Sequence, residues 1–225
     1  MNFLSHYYFD KDNLNDYEVL GSILPDLLKN ANKTWNIYPE KNEHLFQTQI
    51  QKYLLKGWKK HLLVDKIFHN TAFFFFHQHQ LKVELKEVIK DSPVKPFFLG
   101  HIALELILDH LLIAENKVDV SKLYHYLKQT SDKDIESFLY LNGLTHTERF
   151  FSFFESFKRE QYLNNYIETK NITYSLKRIC MRLWNNPFTA HQEEEITKII
   201  DQYISKLREE FILIFDEIES QLVNE

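Results

Sequence analysis

The sequence predicts an all-α fold, and three observations carry that expectation. Glycine, at four residues, and proline, at five, are too scarce for the tight turns of a β-rich chain. Apolar residues recur at i, i+3 and i+4 over long stretches. Short polar or proline-bearing segments separate those stretches, as turns between helices do. With 225 residues, 44% of them hydrophobic, the chain can bury a sizeable core as a single all-helical domain over 1–225, either one large domain or one with a helical extension.

The first helix is expected at about 13–31, capped by Asp12 or Asn13, with Leu14, Tyr17, Leu20, Leu24, Leu27 and Leu28 on one face. Pro25 predicts a kink or break near Leu24, because proline removes a backbone donor and crowds the preceding turn. Residues 30–42 read as a loop. Helical patterning resumes near Glu43 and runs to about Lys90, with Gly57 as the expected break. Asp91-Ser-Pro-Val-Lys-Pro96 is a turn that opens a helix at Pro96. Further helices are expected from Ser121, from Ser131 or Asp132, over about 145–166, over about 173–184 and, after Asn185-Asn186-Pro187, over about 190–222.

The net charge of −5 does not suggest a general nucleic-acid binder. Residues 51–100 nevertheless hold nine Lys against four acids, which is either a face for an acidic partner or a solvated helix surface. A single cysteine, Cys180, rules out an intrachain disulfide. The N-terminal residues lack a basic and apolar leader pattern, and residues 97–114 are apolar but interrupted by four ionisable side chains. A cytoplasmic protein without a membrane span is therefore expected.

The helix at 97–114 has apolar residues around its whole axis, and three of its four ionisable residues, His101, Glu105 and Asp109, are spaced i, i+4, i+8 on one stripe. A buried carboxylate without a partner costs several kcal/mol, so something positive must face this stripe or solvent must reach it. A second stripe of the same spacing lies upstream at His61, Asp65 and His69. Imidazoles and carboxylates on facing helices can hold a metal ion, and they can equally satisfy one another as ion pairs. His77 and His79, and His44, His125, His146 and His191, read as surface or capping residues. His6 and Asp26 look ordinary by themselves. No phosphate-binding loop, dinucleotide fingerprint or cysteine cluster is present.

Several motifs, taken together, resemble a known family. Met1-Asn-Phe-Leu-Ser-His6 is followed by Gly21-Ser-Ile-Leu-Pro-Asp26, by Gly57 with His61-x3-Asp65, and by Asp109-His110-Leu-Leu. This order is similar to that of the bacterial acyl carrier protein phosphodiesterases, over about residues 1–115. The resemblance implies an HD-like helical phosphohydrolase core at 1–115, with added packing helices over 116–225. It also implies removal of 4′-phosphopantetheine from holo-acyl carrier protein with a divalent metal such as Mn²⁺, a reaction of lipid metabolism. On that reading His61, Asp65, His69, His101 and Asp109 are metal ligands. Asp26, Asp65 and Glu105 are catalytic or supporting carboxylates, and His6 and His110 match further family positions. The acidic carrier protein would dock on Lys56, Lys59, Lys60 and Lys66. Leu62 stands where the family has an arginine able to grip a phosphate, His69 and Glu105 replace aspartates, and His101 lies outside the pattern. These departures leave open another metal phosphohydrolase on the same scaffold, or a non-catalytic binding descendant.

Overall fold

A computed structural model describes residues 1–223, and among them every regular element is helical. The helices are α1 (Phe3–Tyr8), α2 (Asp16–Ala31), α3 (Gln49–Phe68), α4 (Ala72–Lys86), α5 (Pro96–Ala114), α6 (Val120–Gln129), α7 (Asp132–Leu141), α8 (Glu148–Glu160), α9 (Thr169–Cys180), α10 (Ala190–Leu207) and α11 (Ile212–Leu222). Short 3-10 turns occupy Pro39–Lys41, Glu43–Leu45 and Tyr162–Ile167. Two compact units emerge, each discontinuous in sequence. One combines Met1–Ser5, Lys66–Lys117 and the chain from Asn165 onward; the other combines His6–Asp65 with Val118–Asn164.

In the second of these units α2 packs against α6 and α8. Asn15 caps α2 by accepting a hydrogen bond from the Glu18 amide at 3.0 Å, so the helix starts a few residues later than its apolar pattern suggests. Pro25 neither ends nor interrupts it, a correction to the sequence expectation. Leu20, Ile23, Leu24 and Leu27 are wholly buried on both sides of the proline, and their packing outweighs the missing backbone hydrogen bond. Gly57 is likewise no break. It lies inside α3, where a side-chain carbon would come within 2.1 Å of the Glu18 carbonyl oxygen and 2.6 Å of the Ser22 nitrogen of α2. Gly21 has the same role on α2, facing the Leu54 carbonyl at 2.4 Å. The two glycines let the helix backbones touch. The helix expected over 145–166 stops at Glu160, because Gln161 adopts a left-handed backbone (φ 49°) and donates to the Phe157 carbonyl.

In the other unit α5 packs on α4 and α9, and α10 covers α4, α5 and α9. Gly100 of α5 approaches the Gln78 carbonyl so closely that a side-chain carbon would stand 2.7 Å from it. α5 is long and apolar enough to cross a membrane, yet two thirds of that stretch is buried within the protein, so it is packed as a core helix. The single helix expected over 190–222 is two, α10 and α11. α10 is opened by a capping box between Thr189 and Gln192.

Candidate metal centre

α3 carries His61 and Asp65 one turn apart, and the last turn of α1 carries His6. Because Gly21 and Gly57 bring α2 against α3, the Ser22 carbonyl reaches His61 Nδ1 at 2.8 Å. That bond requires Nδ1 to carry the proton, which leaves the lone pair on Nε2, the atom facing Asp65 Oδ2 at 3.7 Å. The His6 ring stacks on the His61 ring, with centroids 3.7 Å apart and planes 18° apart, and His6 Nε2 is 3.3 Å from Asp65 Oδ1. Each of the three residues thus brings a donor atom within 4.8 Å of the others. Burial, and then the neighbouring His6, push His61 well below the ordinary imidazole range, so it is neutral at pH 7. Burial works against the charge on Asp65, but the chain's terminal ammonium, and then the His6 imidazole, outweigh burial and hold its carboxyl below the usual range.

This cluster opens onto a cleft of about 300 Å³ lined by His61, Asp65, Asp26, Trp35, Tyr38 and Trp58, among others. Asp26 lies one turn beyond Ser22 on α2. The Trp58 indole nitrogen and one carboxylate oxygen of Glu40, both at this cleft, are buried without a hydrogen-bond partner among the described residues. Leu62 also lines the cleft and is 42% exposed, so no cation stands at the position where the family pattern has arginine.

A second cluster forms around Glu105 of α5. His101 Nε2 is 3.0 Å from Glu105 Oε1, His69 Nε2 is 3.4 Å from the same oxygen, and the two Nε2 atoms are 3.2 Å apart. The terminal nitrogen of Met1 is 3.1 Å from that oxygen as well. Burial would raise the Glu105 carboxyl, but the Met1 ammonium and the two imidazoles overcome it and hold the group below its usual range. Phe74 packs edge-on against both rings, at 4.8 Å from His69 and 5.0 Å from His101. His69 sits one residue past the end of α3, so the expected stripe of three on that helix is a pair followed by a turn residue.

The structure uses Asp109 elsewhere. Its carboxylate accepts from the Leu4 amide at 3.1 Å, the Ser5 amide at 2.8 Å and the Ser5 hydroxyl at 2.7 Å, fixing the start of α1 to α5. Burial pushes this carboxyl up to about 7 against the pull of those donors. His110 donates from Nδ1 to the Tyr166 carbonyl at 2.8 Å; a carbonyl only accepts, so Nδ1 carries the proton. Three lysines expected to meet a partner are engaged within the chain: Lys56 with Glu18 at 2.8 Å, Lys59 with Glu43 and Lys60 with Asp10, each of these at 2.5 Å, while Lys66 is exposed. The cleft residues Trp35, Tyr38, Glu40 and Trp58 are not among those that the sequence motifs single out. Trp58 stands one turn before His61 on α3 and was open to detection by spacing; the other three lie in and beside a turn that carries no periodic signal.

Fold and site together define an all-helical protein bearing histidine–carboxylate groups with the donor chemistry of a divalent-metal centre. The chain belongs to the acyl carrier protein phosphodiesterase family, whose profile matches residues 1–218. The match runs through the C-terminal helices and so extends well past the first 115 residues on which the motif resemblance rests. No curated protein and no solved structure matches the chain.

Proposed function

We propose that the protein hydrolyses the phosphodiester linking 4′-phosphopantetheine to acyl carrier protein, at the His6–His61–Asp65 cluster. The observation that carries this reading is that His61 and Asp65 line the same cleft as Asp26, in a chain of that family. Two imidazoles and an ionised carboxylate are a donor set for a divalent transition-metal ion such as Fe²⁺, Zn²⁺ or, more weakly, Mn²⁺. Such an ion, when bound, polarises a phosphoryl oxygen and makes a bound water acidic near neutrality.

The protein's own groups supply the rest. Ser22 fixes the His61 ring so that Nε2 keeps its lone pair towards the site. Asp65 keeps a negative charge beside the Nε2 atoms of both imidazoles. Asp26, which lines the same cleft, is the carboxylate that would take a proton from the attacking water. Trp35, Tyr38 and Trp58 form an apolar wall for the pantetheine arm, and the Trp58 N–H offers a donor to one of its amide carbonyls. Lys56, Lys59, Lys60 and Lys66 of α3 would meet the acidic carrier protein, exchanging intrachain acids for the partner's. The setting is cytoplasmic lipid metabolism.

The test is incubation of the purified protein with holo-acyl carrier protein and Mn²⁺, followed by intact-mass measurement. The expected result is loss of the phosphopantetheine mass, abolished in His61→Ala and Asp65→Asn. A carrier protein of unchanged mass at every metal tried would refute the reading.

A further inference from the structure

We infer that His69, His101 and Glu105 form a second, separate metal site, selective for Zn²⁺ over Mn²⁺. The geometry points to this independently of any phosphodiesterase activity. The three donor atoms are spaced 3.0, 3.2 and 3.4 Å apart. A tetrahedral ion with ligand bonds of about 2.0–2.1 Å sets neighbouring donors about 3.3 Å apart. The three edges therefore match one face of that tetrahedron, and the fourth position is left for water or another ligand.

In the metal-free protein the buried Met1 ammonium, 3.1 Å from Glu105 Oε1, and a donating His101 imidazole satisfy the carboxylate. A bound ion would take over that pairing, with both nitrogens and the oxygen acting as electron-pair donors to it. Access and rigidity also fit. His69 and His101 are about one-third exposed, so an ion can reach them from solvent, while Glu105 is anchored in the core and the buried Phe74 holds both rings edge-on. Two imidazoles with one carboxylate favour zinc over manganese, which prefers oxygen ligands.

The test uses the full-length protein freed of metal by chelation and titrated with Zn²⁺, Co²⁺ and Mn²⁺ separately, with bound metal counted per chain. The expected result is one Zn²⁺ or Co²⁺ ion lost in His101→Ala and retained in His61→Ala, with Co²⁺ at this site showing the visible absorption of a four-coordinate ion. His69→Ala is the second variant; its side chain is partly exposed in a turn, so its loss leaves the core intact. If neither His101→Ala nor His69→Ala loses an ion, each with helical circular dichroism like the wild type, the second site does not exist. If the ion lost in those variants is Mn²⁺ bound more tightly than Zn²⁺, the assigned selectivity is overturned. Carrier-protein hydrolysis reads the other cluster, so failure there leaves this result intact.

Discussion

Gly57→Ala tests the link between helix packing and the candidate site. A β-carbon at position 57 meets the Glu18 oxygen at 2.1 Å, whereas real contacts stay at or above 3.0 Å. All three nearest atoms, on Glu18, Gly21 and Ser22, are backbone, so no side chain can swing aside and α2 and α3 must part by about 0.9 Å. Such overpacking costs about 1–3 kcal/mol, set against a gain of roughly 0.5–1 kcal/mol for alanine over glycine in a helix. The effect does not stop at stability. His61 lies one turn further along the same face of α3, and its 2.8 Å bond to Ser22 crosses the same helix pair. A shift of that size stretches the bond past hydrogen-bonding range and frees the imidazole to rotate. Loss of such an outer partner weakens metal binding by about 10–100-fold. The net cost is thus up to about 2.5 kcal/mol, and thermal unfolding should show a midpoint lowered by up to about 10 °C, at about 2–4 °C per kcal/mol for a chain of this size. Calorimetric titration should show weaker binding at the His61 cluster. Lys52→Ala, an exposed position on the same helix, is the control. If Gly57→Ala matches that control in both measurements, the proposed coupling between the glycine contact and the His61 ring is wrong.

Asp109→Ala should destabilise the protein by about 2–5 kcal/mol in urea unfolding, because it leaves three donors at Leu4 and Ser5 unpaired in a buried site. The pH dependence of that carboxyl has a definite sign. Its folded value is raised from about 3.8 to about 7, so the native state holds more protons across that window, and the group's contribution is largest below pH 4 and lost as pH rises through 7. The stability difference between wild type and Asp109→Asn, measured at pH 5 and pH 7.5, should therefore shift in favour of Asn at the higher pH; an unchanged difference would contradict the raised value. His77 and His110 act in the opposite direction. Burial depresses both, so their contribution is present above about pH 6.5 and is lost as pH falls through and below it. His77→Gln, whose amide can still bond the Tyr203 hydroxyl, should reduce the fall in melting temperature between pH 7 and pH 5.5, and an equal fall in both proteins would count against it. Trp58→Phe keeps most of the cleft wall but removes its unpaired donor, so KM for the carrier protein should rise several-fold with kcat little changed; a fall in kcat alone would place Trp58 in the chemical step.

The helical class, most elements in order and the odd chemistry of α5 were legible in the sequence because they are local. Pro96 opens a helix wherever it is placed in that register, and an 18-residue apolar run with His101, Glu105 and Asp109 on one stripe is strange in any fold. Element ends were harder. α10 and α11 part at Arg208 and Phe211, where the backbone stays near helical angles and neither glycine nor proline marks the stop. Gly57 read as a break because propensity counts only the cost of a missing side chain; the benefit lies on another helix, in contact with Glu18 and Ser22. The same limit applies to the site. Spacing put His61 beside Asp65 and His101 beside Glu105, as helix geometry requires. Spacing alone did not divide the two stripes into separate clusters, bring His6 onto the His61 ring, or give Asp109 to the amides of Leu4 and Ser5. Those pairings join residues tens of positions apart or more, and only tertiary packing decides which distant groups share one buried space.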